Sequence, residues 1–140
     1  MDKLPKIQLN TKPTYLKFAQ GVDLFGLFQK MEPEFENCFI FESLGEQGSL
    51  SRYSILGFDP KYIITTNGKD LLLNDQVFKV KNPFYALREV VPQNAISRNY
   101  AGGLIGYLSY EAINLFEALN IKTHKLFQLF KFGVYLDGII

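Results

Sequence analysis

Apolar and polar positions alternate along this chain in two distinct periods. Val22, Leu24, Phe25, Leu27, Phe28 and Met31 recur at helical spacing behind Asp23, which predicts a helix over 22–31 with a broad apolar face. Gly21 and Gly26 weaken its intrinsic propensity. Residues 6–10 alternate and predict an edge strand, punctuated by Pro13. Residues 37–43, rich in Phe and Ile, predict a buried strand. The stretch 44–51 holds Gly45, Gly48 and two serines and predicts a loop, and a second strand over 52–58 closes at Asp59-Pro60. A meander follows over 61–66, 69–73 and 76–80, with Asn67-Gly68 as a two-residue hairpin signal and Asn74-Asp75 as a second turn.

Asn82-Pro83 reads as an N-cap followed by proline in the first helical position, opening a helix that runs to about Val91 and stops before Pro92. Residues 93–99 form a polar connection, 102–110 a glycine-rich strand, 111–119 a short helix and 120–125 a polar loop. The last eleven residues, 130–140, are strand-like and strongly apolar. Together these elements predict an α+β fold: an antiparallel sheet built from 37–43, 52–58, 61–66, 69–73, 76–80, 102–109 and 131–140, with the helices at 22–31 and 83–91 on one face. Natural termini are usually polar and frayed. The apolar end at Ile140 therefore implies a truncated domain, with an unprotected strand at 131–140 that favours self-association.

Composition narrows the function. With 140 residues and 47% hydrophobic content the chain can bury a core of its own. Thirteen Phe and no Trp point to an aromatic core or a buried interface. A net charge of +1, with Lys and Arg scattered singly, gives no electrostatic case for nucleic acid. The cluster Lys79 to Lys81 reads as a solvated strand end. Cys38 is the lone cysteine, so no internal disulfide can form, and within Cys38-Phe39-Ile40-Phe41 it reads as an inert, buried thiol. There is no signal-peptide core and no apolar run of the ~18–20 residues a membrane span needs, which points to the cytoplasm and away from a membrane.

Chemical motifs are sparse. Gly102, Gly103 and Gly106 lack the spacing of a dinucleotide fingerprint and read as sites of close backbone packing. No phosphate loop is present. His124, the single histidine, reads as a surface residue, and one His with one Cys cannot furnish a zinc site. Glu32, Glu34 and Glu36 alternate in a polar stretch and read as solvated. These residues define no catalytic or metal constellation.

Two segments carry more information. The first is Ile40-Phe41-Glu42-Ser43, followed after ten intervening residues by Ser54 within Arg52-Tyr53-Ser54-Ile55-Leu56-Gly57-Phe58-Asp59-Pro60. The second is Gly102-Gly103-Leu104-Ile105-Gly106-Tyr107-Leu108-Ser109-Tyr110-Glu111. Their order, separation and wording resemble the N-terminal domain of anthranilate synthase component I, whose Leu-Leu-Glu-Ser, ten residues, Ser pattern forms an allosteric tryptophan site. Ile40 and Phe41 stand where that pattern has two leucines, and both remain apolar.

The resemblance implies an N-terminal regulatory domain over residues 1–140, with the catalytic chorismate-binding domain and its magnesium ligands outside this chain. It implies tryptophan as effector at Glu42, Ser43 and Ser54, no catalytic residue and no metal ligand here, and a glutamine amidotransferase subunit as partner of the whole enzyme. The chemistry is coherent. Glu42 can accept a charge-assisted hydrogen bond from an amino-acid ammonium, and Ser43 and Ser54 offer short hydroxyls. Strand alternation sets Arg52 and Ser54 on one face and Tyr53 and Ile55 on the other, leaving open which face lines a pocket. Aminodeoxychorismate synthase component I is the nearest rival, since it shares the fold and the substrate. A free-standing small-molecule binding domain and a purely structural interaction module are rivals of other classes.

Overall fold

A computed structural model describes residues 3–9, 14–17, 21–43, 53–91, 102–123 and 126–140. The loop expected over 44–51, the connection 93–99, Arg52 and His124 lie outside the described residues.

The first helix, α1 (Leu24–Met31), begins as its sequence suggests. Asp23 is extended and its carboxylate accepts from the Gly26 N–H at 3.0 Å, meeting one of the orphan donors of the first turn. The helix lies against β1 (Cys38–Phe41) and β2 (Ile55–Phe58), an antiparallel pair that forms a sheet of its own. None of its residues is fully buried, so its apolar face is only partly covered.

The second sheet has five antiparallel strands: β3 (Tyr62–Thr66), β4 (Leu71–Leu73), β5 (Gln76–Phe78), β6 (Gly103–Leu108) and β7 (Phe130–Tyr135), in the order β5-β4-β3-β7-β6. The expected single sheet is therefore two. Asp59 at φ 48° and Pro60, which has no N–H to donate, separate β2 from β3, and β3 takes β4 and β7 as neighbours instead. The helices likewise divide: α1 serves the smaller sheet, while α2 (Pro83–Val90) packs on β4. Ile64, Leu71, Val90, Phe130 and Val134 are fully buried at the centre of the larger core.

The predicted edge strand at 6–10 does not form over its described part, yet Ile7 and Leu9 are buried in the same core. Alternation reports burial at every second residue, and an extended segment lying over a core satisfies it as well as a paired strand does.

The β3–β4 turn is longer than the two residues that Asn67-Gly68 suggests. Thr66 pairs with Leu71, leaving four residues between them. Side chains close this loop: Asn67 Oδ1 accepts from the Lys69 and Asp70 N–H groups at 3.0 and 2.8 Å, and Thr66 Oγ1 donates to the Asp70 carbonyl at 2.8 Å. Only Gly68 takes a positive φ there, 94°. Asp70 receives Lys79 Nζ at 2.9 Å and the Asn67 amide at 3.2 Å, and these bonds, the lysine's first, hold its carboxyl below the ordinary range. Asn74, at φ 50°, turns β4 into β5 and exchanges two 2.8 Å hydrogen bonds with the Ile63 backbone.

Asn82 caps α2 as predicted, with Oδ1 accepting from the Phe84 and Tyr85 N–H groups at 2.9 and 3.2 Å. Its amide also donates to the Leu115 carbonyl, joining α2 to a 3-10 helix over Tyr110–Leu115. That helix replaces the one expected at 111–119. Asn114 bonds the Ile121 backbone in both directions, at 2.6 and 2.9 Å, and folds the chain back before a longer helix can propagate.

The strand expected at 131–140 is also different. β7 lies between β3 and β6, paired on both sides, and is no edge. The chain bends at Leu136 and crosses to the other sheet, where Ile139 bridges Leu56. Among the described residues, the edges of the larger sheet are β5 and β6.

Candidate functional site

The resemblance singles out Glu42, Ser43 and Ser54, and the register of β1 and β2 decides how they meet. The ladder pairs Cys38 with Phe58, Phe39 with Gly57, Ile40 with Leu56 and Phe41 with Ile55. The ladder ends at that last pair: Glu42 and Ser43 follow Phe41, and Tyr53 and Ser54 precede Ile55, just beyond it. Side chains alternate along such a pair. Ile40 and Leu56 therefore share one face, while Phe39, Phe41 and Ile55 share the other.

Hydrogen-bond direction adds to this. The Leu56 N–H and C=O both pair with Ile139, at 2.9 and 2.8 Å, so they point away from β1. Ile40 and Leu56 thus face each other without exchanging backbone bonds. Such pairs bring Cα atoms to about 4.5 Å and side chains closest together. Glu42 and Ser54 each adjoin the last ladder pair, Phe41 with Ile55, at one end of the hairpin. Glu42 and Ser43 are exposed and Ser54 is half-buried. Phe41 and Tyr53, 53% and 55% exposed, offer aromatic surface at the same end of the hairpin.

The residues that hold this hairpin in place are ones that motif reading passes over. The Phe39 ring covers Gly57 so closely that a Cβ there would lie 2.2 Å from Phe39 Cε1. The same ring stacks on Phe41 at 5.0 Å between centroids and meets Tyr135, the last residue of β7, edge-on at 4.8 Å. Tyr135 is buried, and burial, with a smaller contribution from Cys38, pushes its phenol up from the ordinary value. A glycine inside a strand is the one sequence signal of this close approach.

Other chemistry is limited. Cys38 is half-buried, and burial followed by the charge of Glu32 pushes its thiol up, away from a reactive thiolate. Among the described residues no group of three or more His, Cys, Asp or Glu side chains could hold a metal ion, and no helix is long and apolar enough to cross a membrane. A cavity of about 460 Å³ lies beside α2, lined by Leu4, Val80, Lys81, Tyr85 and Glu89 among others, on a different part of the fold from the hairpin.

The fold is an antiparallel α+β domain with Glu42, Ser43, Ser54, Phe41 and Tyr53 at one end of the β1–β2 hairpin. No protein-family model matches the chain, and no solved structure matches it significantly. Curated relatives do. Its curated homologues are anthranilate synthase component 1 proteins, and it matches the N-terminal domain of that enzyme. It is 42% identical over 140 residues to anthranilate synthase component 1 of Leptospira biflexa, an alignment covering 98% of this chain and 30% of that relative. It is 35% identical to the protein of the same name from Methanothermobacter thermautotrophicus, over 83% of this chain and 26% of the relative. The Saccharomyces cerevisiae protein is 28% identical over 81% of this chain and 20% of its own length. The chain thus spans about a third or less of the length of these relatives. The aminodeoxychorismate synthase alternative draws no support from them.

Proposed function

We propose that this chain is the tryptophan-sensing, N-terminal part of a cytoplasmic anthranilate synthase component I, the enzyme that converts chorismate to anthranilate. The names of its relatives support that activity and, with it, a glutamine amidotransferase subunit as partner. Chorismate and magnesium are handled by the rest of that enzyme, and these residues alone do not turn chorismate over.

The observation that carries the effector reading is the β1–β2 ladder, whose last pair is Phe41 with Ile55; in this reading the same register, continued by one step, sets Glu42 across from Ser54. In this reading the tryptophan ammonium donates to the Glu42 carboxylate, and the Ser54 hydroxyl meets a second polar atom of the effector. Ser43, with Phe41 and Tyr53, meets it from the other face of the hairpin. Tryptophan bound here opposes chorismate bound elsewhere through a coupling of about 1–3 kcal/mol, or about 5- to 150-fold in affinity.

Inhibition of the full-length enzyme tests this. Glu42→Ala removes a charged acceptor worth about 1.5–3 kcal/mol, so the tryptophan concentration for half-inhibition should rise by about 10- to 100-fold. Ser43→Ala should raise it less, and uninhibited turnover should stay near the parent's in both variants. Wild-type sensitivity in both would remove the effector assignment.

We also propose self-association of the isolated chain. β6, rather than the 131–140 segment, is the strand placed to mediate it, because it is an edge strand whose Tyr107 and Leu108 are exposed.

A further inference from the structure

We propose that residues 136–140 act as a strap that couples occupancy of the Glu42–Ser54 face to β7, the strand second from the edge of the larger sheet. The inference rests on the effector reading above and concerns how that site is regulated.

β2 has two sides. One carries the β1 ladder, and the other carries Ile139, whose N–H donates to the Leu56 carbonyl at 2.8 Å while its carbonyl accepts the Leu56 N–H at 2.9 Å. Leu56 is fully buried and stands two residues from Ser54. Ile139 follows β7 after an interval of only three residues, 136–138. A shift at the polar end of the hairpin therefore reaches a strand that is itself paired on both sides, with β3 and β6.

A second contact joins the same two elements. The Phe39 ring, seated over Gly57 next to Leu56, meets the ring of Tyr135 edge-on. Among the described residues, a backbone bridge and an aromatic contact thus join the hairpin to the end of β7 and the segment after it. A single bridge is a small cooperative unit, able to open without unzipping a ladder, whereas β6 and β7 share six consecutive pairs. A ligand that draws Glu42 and Ser54 together fixes the spacing and twist of the hairpin's end and so favours one state of this bridge. The bridge in turn biases ligand affinity by the same factor.

Amide hydrogen exchange on the full-length protein, with tryptophan as the probe and calorimetry to establish its binding, tests the strap. Saturating tryptophan should slow exchange of the Leu56 and Ile139 amides by about tenfold while leaving those of β4 and β5 unchanged. Ile139→Pro, which removes the donor, should weaken tryptophan binding by about tenfold, and Ile139→Ala, which keeps the N–H, should not. If tryptophan binds through Glu42 but the Leu56 and Ile139 amides exchange as before, the strap is overturned and the effector site stands. If tryptophan does not bind the parent protein, both readings fall. The exchange measurement uses the unaltered sequence, so it decides the matter even if Ile139→Pro does not fold.

Discussion

Two glycines three residues apart in β6 should respond to the same substitution in opposite ways. A Cβ at Gly106 would lie 2.0 Å from the Lys131 carbonyl oxygen, 2.6 Å from Phe132 Cα and 2.8 Å from Lys131 C. All three atoms are β7 backbone, and ordinary contact requires about 3.5–4.0 Å between carbons. β7 cannot yield, because β3 holds its other side and Phe130 and Val134 anchor it fully buried in the core. The adjustment therefore falls on β6, which must move outward by roughly 1–1.5 Å, given that contact distance. Overpacking of this kind costs about 1–3 kcal/mol. Losing one or two of the ladder's hydrogen bonds adds about 1 kcal/mol each. Gly106→Ala should thus destabilise the fold by about 2–5 kcal/mol, a large share of the roughly 5–15 kcal/mol typical of a domain. A Cβ at Gly103, by contrast, meets nothing within 4 Å, and the backbone there is not left-handed. Gly103→Ala should be neutral or stabilising by about 0.4–1 kcal/mol, since it restricts the unfolded chain. Urea denaturation followed by far-ultraviolet circular dichroism reads both values. Equal shifts in the two variants, or a change below about 0.5 kcal/mol for Gly106→Ala, would refute the steric argument.

Two further outcomes follow from the same structure. Asp70 is held in its charged form by the Lys79 ammonium and the Asn67 amide, so its folded carboxyl titrates below the unfolded value. Its stabilising contribution is complete above the unfolded pKa of about 3.9 and is lost as pH falls through the lowered folded one. Asp70→Asn should therefore lose less stability than the parent between pH 7 and about pH 3, and identical acid losses in urea titrations would contradict this. On the exposed β6 edge, Leu108→Lys should shift the isolated chain toward monomer in sedimentation velocity, and an unchanged distribution, or a parent that is already monomeric at high concentration, would remove the edge-pairing proposal.

Local structure was legible where a few neighbouring residues decide it. Asp23 and the Asn82-Pro83 pair start their helices by supplying acceptors for orphan N–H groups one turn away. Aromatic and β-branched runs between turn signals located the β-strands, and alternation marked the buried Ile7 and Leu9, whereas the candidate site came from the family resemblance. What failed was decided by side-chain hydrogen bonds and by strand pairing, the first local and the second at a distance. The Asn67-Gly68 signal was overruled by hydrogen bonds from Thr66 and Asn67, the longer helix after Ser109 by the Asn114–Ile121 pair, and the apparent terminal edge strand by pairing with β3 and β6.

The candidate site divides the same way. The family resemblance nominated Glu42, Ser43 and Ser54, and the chemistry of a carboxylate and two hydroxyls, which belongs to the side chains themselves, made it coherent. Only the tertiary structure could choose the register of β1 on β2, which ends with Phe41 paired to Ile55 beside these residues. Only it could bring Ile139 to Leu56 and Tyr135 to Phe39. A side-chain period of two is a property of the strand alone, but which strand stands beside it, and in what offset, depends on burial and hydrogen bonding summed over the whole core.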